Sequence, residues 1–268
     1  MKRFLTLFSA TLSLLAIWLW IETLRAMPTT VSSGDHKLRM SVTGHGSPSV
    51  VLETFGLAYL ETWSKIQPEI AQFAKVVSYD HAGYWGSEPG EKPREAKQIA
   101  RELHTALCNA GVSPPYLLVG YSFGGPYIRV FASMYPEEVR GLVFVDPAQE
   151  KFSAWLKKHF PGMNVVTDED RQRRDEWGSQ EISFAQAREA QLPHVPITLI
   201  SAAQPGGILL NRLLPEWLRA HRAWLSQYPH ARHIVTTNSG HGIIFTEPRL
   251  VVDAVREMSE LKLVRTEK

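Results

Sequence analysis

The chain has 268 residues, enough for one large domain with its own core or for two small ones. Its hydrophobic fraction of 44% and charged fraction of 21% are those of an ordinary globular protein, which excludes a disordered or fibrous chain. Net charge is only +2, and the densest charge run, Asp168 to Glu176, mixes both signs as a solvated face would, so no nucleic-acid partner is expected.

Lys2 and Arg3 precede an uncharged run from Phe4 to Ile21, eighteen residues that as a helix would span about 27 Å, close to a bilayer's hydrocarbon thickness. Trp18 and Trp20 stand near its far end, where an aromatic belt would lie. A secretory signal is the alternative, but the nearest cleavage candidate, Leu24-Arg25-Ala26, has Leu where a small residue is wanted. Residues 1–27 are therefore expected to form a hydrophobic helix. It would act as an uncleaved membrane anchor or as a signal peptide, with residues 28–268 exported as one domain.

Pro28 to Gly34 reads as a polar linker. His36 to Thr43 alternates apolar with polar residues, the pattern of a half-buried strand. The turn residues Gly44 to Pro48 and a second strand, Ser49 to Thr54, predict a hairpin. Beyond it, short apolar runs alternate with helical patterns. Strand Val76–Asp80 is followed by helix Arg94–Gly111, strand Tyr116–Tyr121, helix Gly125–Tyr135 and strand Gly141–Asp146. Strand Ile197–Ala202, helix Glu216–Gln227, strand His233–Thr237 and helix Glu247–Leu261 complete the series. Cys108, the single cysteine, excludes an intrachain disulfide and is expected to be a small buried residue of its helix. The alternation implies right-handed crossovers and an α/β fold, with a mostly parallel central sheet covered by helices on both faces.

Between Pro147 and Pro193 this rhythm breaks. Phe152, Trp155, Leu156, Phe160, Met163, Trp177 and Phe184 fall in the stretch, with Pro161-Gly162 in its middle. An insertion after a strand's carboxyl end, about 147–193, is placed to form a small helical cap over a site. Alternatively its aromatics only pack on the sheet.

Two positions at strand carboxyl ends carry chemistry. Gly120-Tyr121-Ser122-Phe123-Gly124-Gly125 runs from an apolar strand into a helix of small residues. That is the context in which a G-x-S-x-G segment exposes a nucleophilic serine on a sharp turn. Asn238-Ser239-Gly240-His241-Gly242 follows the last strand, and a loop histidine between glycines can reach a neighbour as general base. The ten histidines show no metal-ligand spacing, so neither a metal nor another cofactor is expected.

With these motifs, His36 to Leu261 resembles the α/β-hydrolase fold family. Tyr79-Asp80-His81-Ala82-Gly83-Tyr84-Trp85-Gly86-Ser87 is similar to that family's Asp-x-x-Gly-x-Gly-x-Ser turn, with Gly86 one place late. Leu52-Glu53-Thr54-Phe55-Gly56-Leu57 matches the loop where many members carry His-Gly, with Phe55 in place of the histidine. The resemblance implies that Ser122 attacks a carbonyl, that His241 takes its proton, and that a carboxylate orients the imidazole. The oxyanion would be held by the backbone N–H of Phe123 and one from Leu57 or Gly56. Asp80, at a strand end before a glycine turn, is expected to cap backbone amides.

For the carboxylate, the commonest family position lies after Ile197–Ala202, but Ala203 to Pro215 contains no Asp or Glu. Asp146, closing the strand after the nucleophile's, and Glu216 are the alternatives. The expected substrate is a small apolar ester, met by the cap and by Ile208-Leu209-Leu210, Leu213-Leu214 and Trp217. Two other readings use the same residues: a cofactor-free perhydrolase or haloperoxidase, and a non-catalytic ligand-binding protein.

Overall fold

In the computed structural model the described residues are 27–162 and 167–261. The predicted helix over Phe4–Ile21 and the cap residue Met163 lie outside them. Among the described residues, no helix is long and apolar enough to cross a membrane.

Eight strands form one sheet: β1 (Thr29–Ser32), β2 (Lys37–Thr43), β3 (Ser49–Glu53), β4 (Lys75–Tyr79), β5 (Tyr116–Tyr121), β6 (Val139–Val145), β7 (Ile197–Ala202) and β8 (Arg232–Thr236). Their spatial order is β1-β2-β4-β3-β5-β6-β7-β8. From β4 to β8 every neighbour pairs in parallel, while β1–β2 and β2–β4 are antiparallel. The longer helices are α1 (Ala96–Asn109), α2 (Gly124–Met134), α3 (Glu150–His159), α4 (Gln180–Glu189), α5 (Ile208–Leu225) and α6 (Pro248–Glu260).

The sheet divides the core in two. On one face α1 and α2 bury Ile99, Leu103, Tyr127 and Phe131 against Leu118, Leu142 and Phe144. On the other, α6 brings Val251, Val252 and Val255 onto Val119, Val143 and Ile200, beside Trp63, Ile66 and Ile70. β3, β5 and β7 are buried at every residue, as strands covered on both faces must be.

Four expectations are corrected here. β2 and β3 do not form a hairpin, because β4 lies between them. The connection turns under the sheet at Gly44 (φ 68°), which packs against the carbonyls of Ala71 and Ala74. The fully buried β3 thereby gains a parallel partner on each side, and the alternating β2 takes a place nearer the edge. The linker Pro28–Gly34 contains strand β1, a four-residue edge strand with almost no apolar signal. The helix read as beginning at Glu216 starts at Ile208 and runs through Pro215. Cys108 is exposed: Ala96, Ile99, Ala100, Leu103 and Leu107 form the buried face of α1, and Cys108 falls one step round from it.

Candidate active site

The carboxyl ends of β3, β5, β6 and β7, with the loop after β8, converge on one edge of the sheet. Ser122 directly follows β5, with φ 53°, the sharp turn between strand and helix α2 that the glycine spacing requires. A side chain at Gly120 would place its Cβ 2.7 Å from the Gly124 carbonyl oxygen, and one at Gly124 would collide with the Glu53 backbone. Both glycines are thus needed to let the turn fold back on β3 and on itself. The Ser122 N–H donates to the Val145 carbonyl (3.1 Å), and the Ala148 N–H donates to the Ser122 carbonyl (2.8 Å). These bonds fasten the serine turn to the end of β6.

Asp146 stands there, buried, also at positive φ (43°). Its Oδ2 lies 2.6 Å from His241 Nδ1, and His241 Nε2 lies 3.0 Å from Ser122 Oγ. With a carboxylate accepting at Nδ1–H, Nε2 is left to accept from the serine hydroxyl. Asp146 Oδ1 accepts from the Ala202 N–H (2.9 Å) and from the Trp217 indole N–H (2.8 Å), so both oxygens are held. The His241 ring stacks on Tyr121 (5.2 Å between centroids) and meets Trp217 edge-on (5.8 Å). The Tyr121 hydroxyl donates to the His241 carbonyl (3.1 Å). Glu216, the other candidate acid, is paired with Arg219 on α5 instead.

The loop after β3 faces the serine from the other side. Gly56 donates its amide to Glu176 Oε2 (2.8 Å), so that N–H is already bonded. Phe55 packs on the Phe123 ring (5.4 Å) and on Trp177 (6.3 Å). Glu176 belongs to a buried ionic cluster. His81 Nδ1 lies 2.8 Å from Glu176 Oε1, and Nε2 lies 2.7 Å from Glu53 Oε1. The Tyr79 hydroxyl donates to Glu53 Oε2 (2.5 Å) and that of Tyr127 donates to Glu176 Oε2 (3.2 Å). Burial alone would push His81 down, but the flanking carboxylates of Glu176 and Glu53 prevail and push it up to about 10. Burial together with the same carboxylates raises both tyrosines, so they keep their protons as donors. The cluster ties the cap, through Glu176, to the loop that carries Leu57.

Asp80 caps the Leu60 N–H (2.7 Å) and pairs with Arg39 (2.9 Å). Two clefts flank His241. One, of about 240 Å³, opens over Ser122 between Phe55, Phe123 and the cap residues Phe152, Leu156, Trp177 and Phe184. The other, of about 280 Å³, lies beyond Trp217 and is lined by Leu213, Leu214 and Gln204. Ile208 and Leu209, expected in the pocket, are instead 85% and 44% exposed, since the first turn of α5 projects outward. Among the described residues, no group of three or more His, Cys, Asp or Glu side chains is placed to hold a metal ion.

The residues that sequence reasoning missed are Trp217 as a partner of Asp146, and Glu176. Nothing in their local patterns marks them. Their contacts join positions 71 and 120 residues apart.

A family model described as the alpha/beta hydrolase fold matches residues 48–177. The uncharacterized protein YqjL of Bacillus subtilis (strain 168) is 26% identical over 219 residues, covering 80% of this chain and 85% of that one. Two other curated relatives are matched over only 20% and 19% of their own lengths. Wild-type Cfl2 from Burkholderia cenocepacia superposes with a TM-score of 0.63 at 17% identity, covering 87% of this chain and 95% of that one. A thermophilic esterase from Thermogutta terrifontis gives 0.59 at 17% identity, with coverage of 87% and 97%. The strand order, the serine turn after β5 and these matches agree: the chain has the alpha/beta hydrolase fold.

Proposed function

We propose that the protein is a serine hydrolase that cleaves small, uncharged carboxylic esters by acyl transfer. The reading rests on the unbroken chain Ser122–His241–Asp146, at 3.0 Å and 2.6 Å, at the mouth of a cleft walled by aromatic side chains. Ser122 Oγ attacks the ester carbonyl as its proton passes to His241 Nε2. Asp146 faces the resulting imidazolium, and the amides of Phe123 and Leu57 receive the oxyanion. The leaving alkoxide takes the proton from His241. Water then attacks the acyl-enzyme by the same route, releasing the acid and restoring Ser122. A non-catalytic binding protein would have no use for a carboxylate turned onto that imidazole. The solved relative described as an esterase points the same way. The run Phe4–Ile21 completes the proposal as the segment that anchors the domain to a membrane or directs its export.

The test is hydrolysis of p-nitrophenyl butyrate by cells making the full chain, assayed in membrane and soluble fractions. Activity is expected in the membrane fraction and should disappear with Ser122→Ala. Activity that survives Ser122→Ala would overturn the nucleophile. Activity in the soluble fraction from a chain beginning near residue 27 would overturn the anchor alone.

A further inference from the structure

The cleft over Ser122 is not lined by hydrocarbon alone. Gln149 and Gln180 line it and are only 4% and 6% exposed. Gln149 occupies the N-cap position of α3 without making a side-chain cap bond, and Gln180 opens α4. Neither carboxamide has a hydrogen-bond partner among the described residues. The sealed polar atoms that lack partners belong to other side chains, namely His36, Arg94, Arg129, Arg140 and Trp224. The carboxamides of Gln149 and Gln180 are not among those sealed atoms, and both side chains line the cleft.

A carboxamide with so little surface and no protein partner can bond only to what fills the cleft, and most such groups in folded proteins are satisfied. Two of them on one small cleft mark a place where a ligand supplies the missing bonds. Each offers two N–H donors and a carbonyl acceptor. Among the described residues, no Lys, Arg, Asp or Glu lines this cleft, so a charged group entering it would be desolvated without a counter-charge from them. The aromatic and Leu156 walls suit carbon on either side of a polar group.

Building on the serine-hydrolase reading, we infer that the cleft selects an uncharged acyl group bearing a neutral hydrogen-bonding function (a ketone, amide or hydroxyl) beyond the scissile carbonyl, held by Gln149 and Gln180. A plain alkyl chain leaves both glutamines unpaired and is the poorer substrate. A polar site rejects an analogue lacking its partner far more strongly than an apolar site rejects one with an extra group.

The experiment compares kcat/KM for p-nitrophenyl 4-oxopentanoate and p-nitrophenyl pentanoate, each divided by its rate of hydroxide-catalysed hydrolysis. The wild type is expected to favour the oxo ester by about tenfold or more, the usual scale for one lost buried hydrogen bond. Gln149→Leu and Gln180→Leu should each collapse that ratio toward one. A wild-type ratio at or below one, or a ratio untouched by either substitution, overturns the inference. Ser122 labelling by a fluorophosphonate is measured on every variant in parallel. Labelling with an unchanged ester ratio rejects only the glutamine site. Absence of labelling in the folded wild type rejects the underlying serine-hydrolase reading.

Discussion

Asp146 shows how one carboxylate is fixed in both position and direction. Oδ1 is occupied by the Ala202 amide and the Trp217 indole, so Oδ2 is turned onto His241. An amide at 146 would offer an N–H as readily as an oxygen and would leave the imidazole free to adopt the wrong tautomer. Asp146→Asn should therefore lower kcat on an ester by about 10⁴, the scale found when the acid of a Ser-His-Asp triad is replaced by its amide. Glu216→Gln, which disturbs only a pair with Arg219, should have little effect. Steady-state kinetics on one ester distinguishes the two carboxylates; a large loss in Glu216→Gln instead would overturn the assignment. Ser122 and His241 were legible in the sequence as candidates, one directly after a strand and one in a short glycine loop, whereas Asp146 was one of two alternatives beside Glu216. Glu176 and Trp217 were not legible, because what they do is decided by partners that only the folded sheet brings near.

At the level of elements, the cluster of Glu53, His81 and Glu176 binds the ends of β3 and β4 to the cap. A second histidine, His221 on α5, sits beneath the acid turn with Nε2 2.8 Å from the Pro147 carbonyl and Nδ1 2.8 Å from Ser201 Oγ. Burial pushes His221 down, opposite to the net effect at His81. The two therefore act on stability at opposite ends of the pH scale. His81, raised in the fold, stabilises fully below its unfolded value near 6.5, and this contribution is lost as pH rises toward about 10. His221, lowered in the fold, stabilises fully above about 6.5, and its contribution is lost as pH falls below that value. Thermal unfolding should give a midpoint that is highest near neutrality and falls on both sides. His81→Gln should flatten the alkaline limb. It should also destabilise the protein at neutral pH by about 3–5 kcal/mol, since two buried carboxylates would lose their cation. An alkaline limb that persists in His81→Gln would contradict this account. The order of the elements along the chain was largely legible from apolar periodicity. The insertion of β4 between β2 and β3 was not, since pairing depends on burial of both faces and not on sequence adjacency. The early start of α5 was hidden by Pro215, which reads as a boundary but is accommodated within the helix.

Across the whole molecule, parallel strands bring together at one edge Ser122, Asp146 and His241, which are far apart in the chain. Two layers of helices seal the sheet on either face, and the segment after β6 folds over that edge, where its aromatics become the walls of the cleft. The fold class could be read from the alternation of strands and helices alone. The polar character of the cleft could not, because Gln149 and Gln180 look in sequence like ordinary helix-start residues. The central claim is that Ser122 is a nucleophile activated by His241. Its most direct measurement is intact-mass and peptide mapping of the full chain after reaction with a fluorophosphonate. A single adduct on the peptide containing Ser122 is expected, absent in Ser122→Ala and formed far more slowly in His241→Ala. A folded protein that takes up no adduct, or carries it on another residue, would contradict the account.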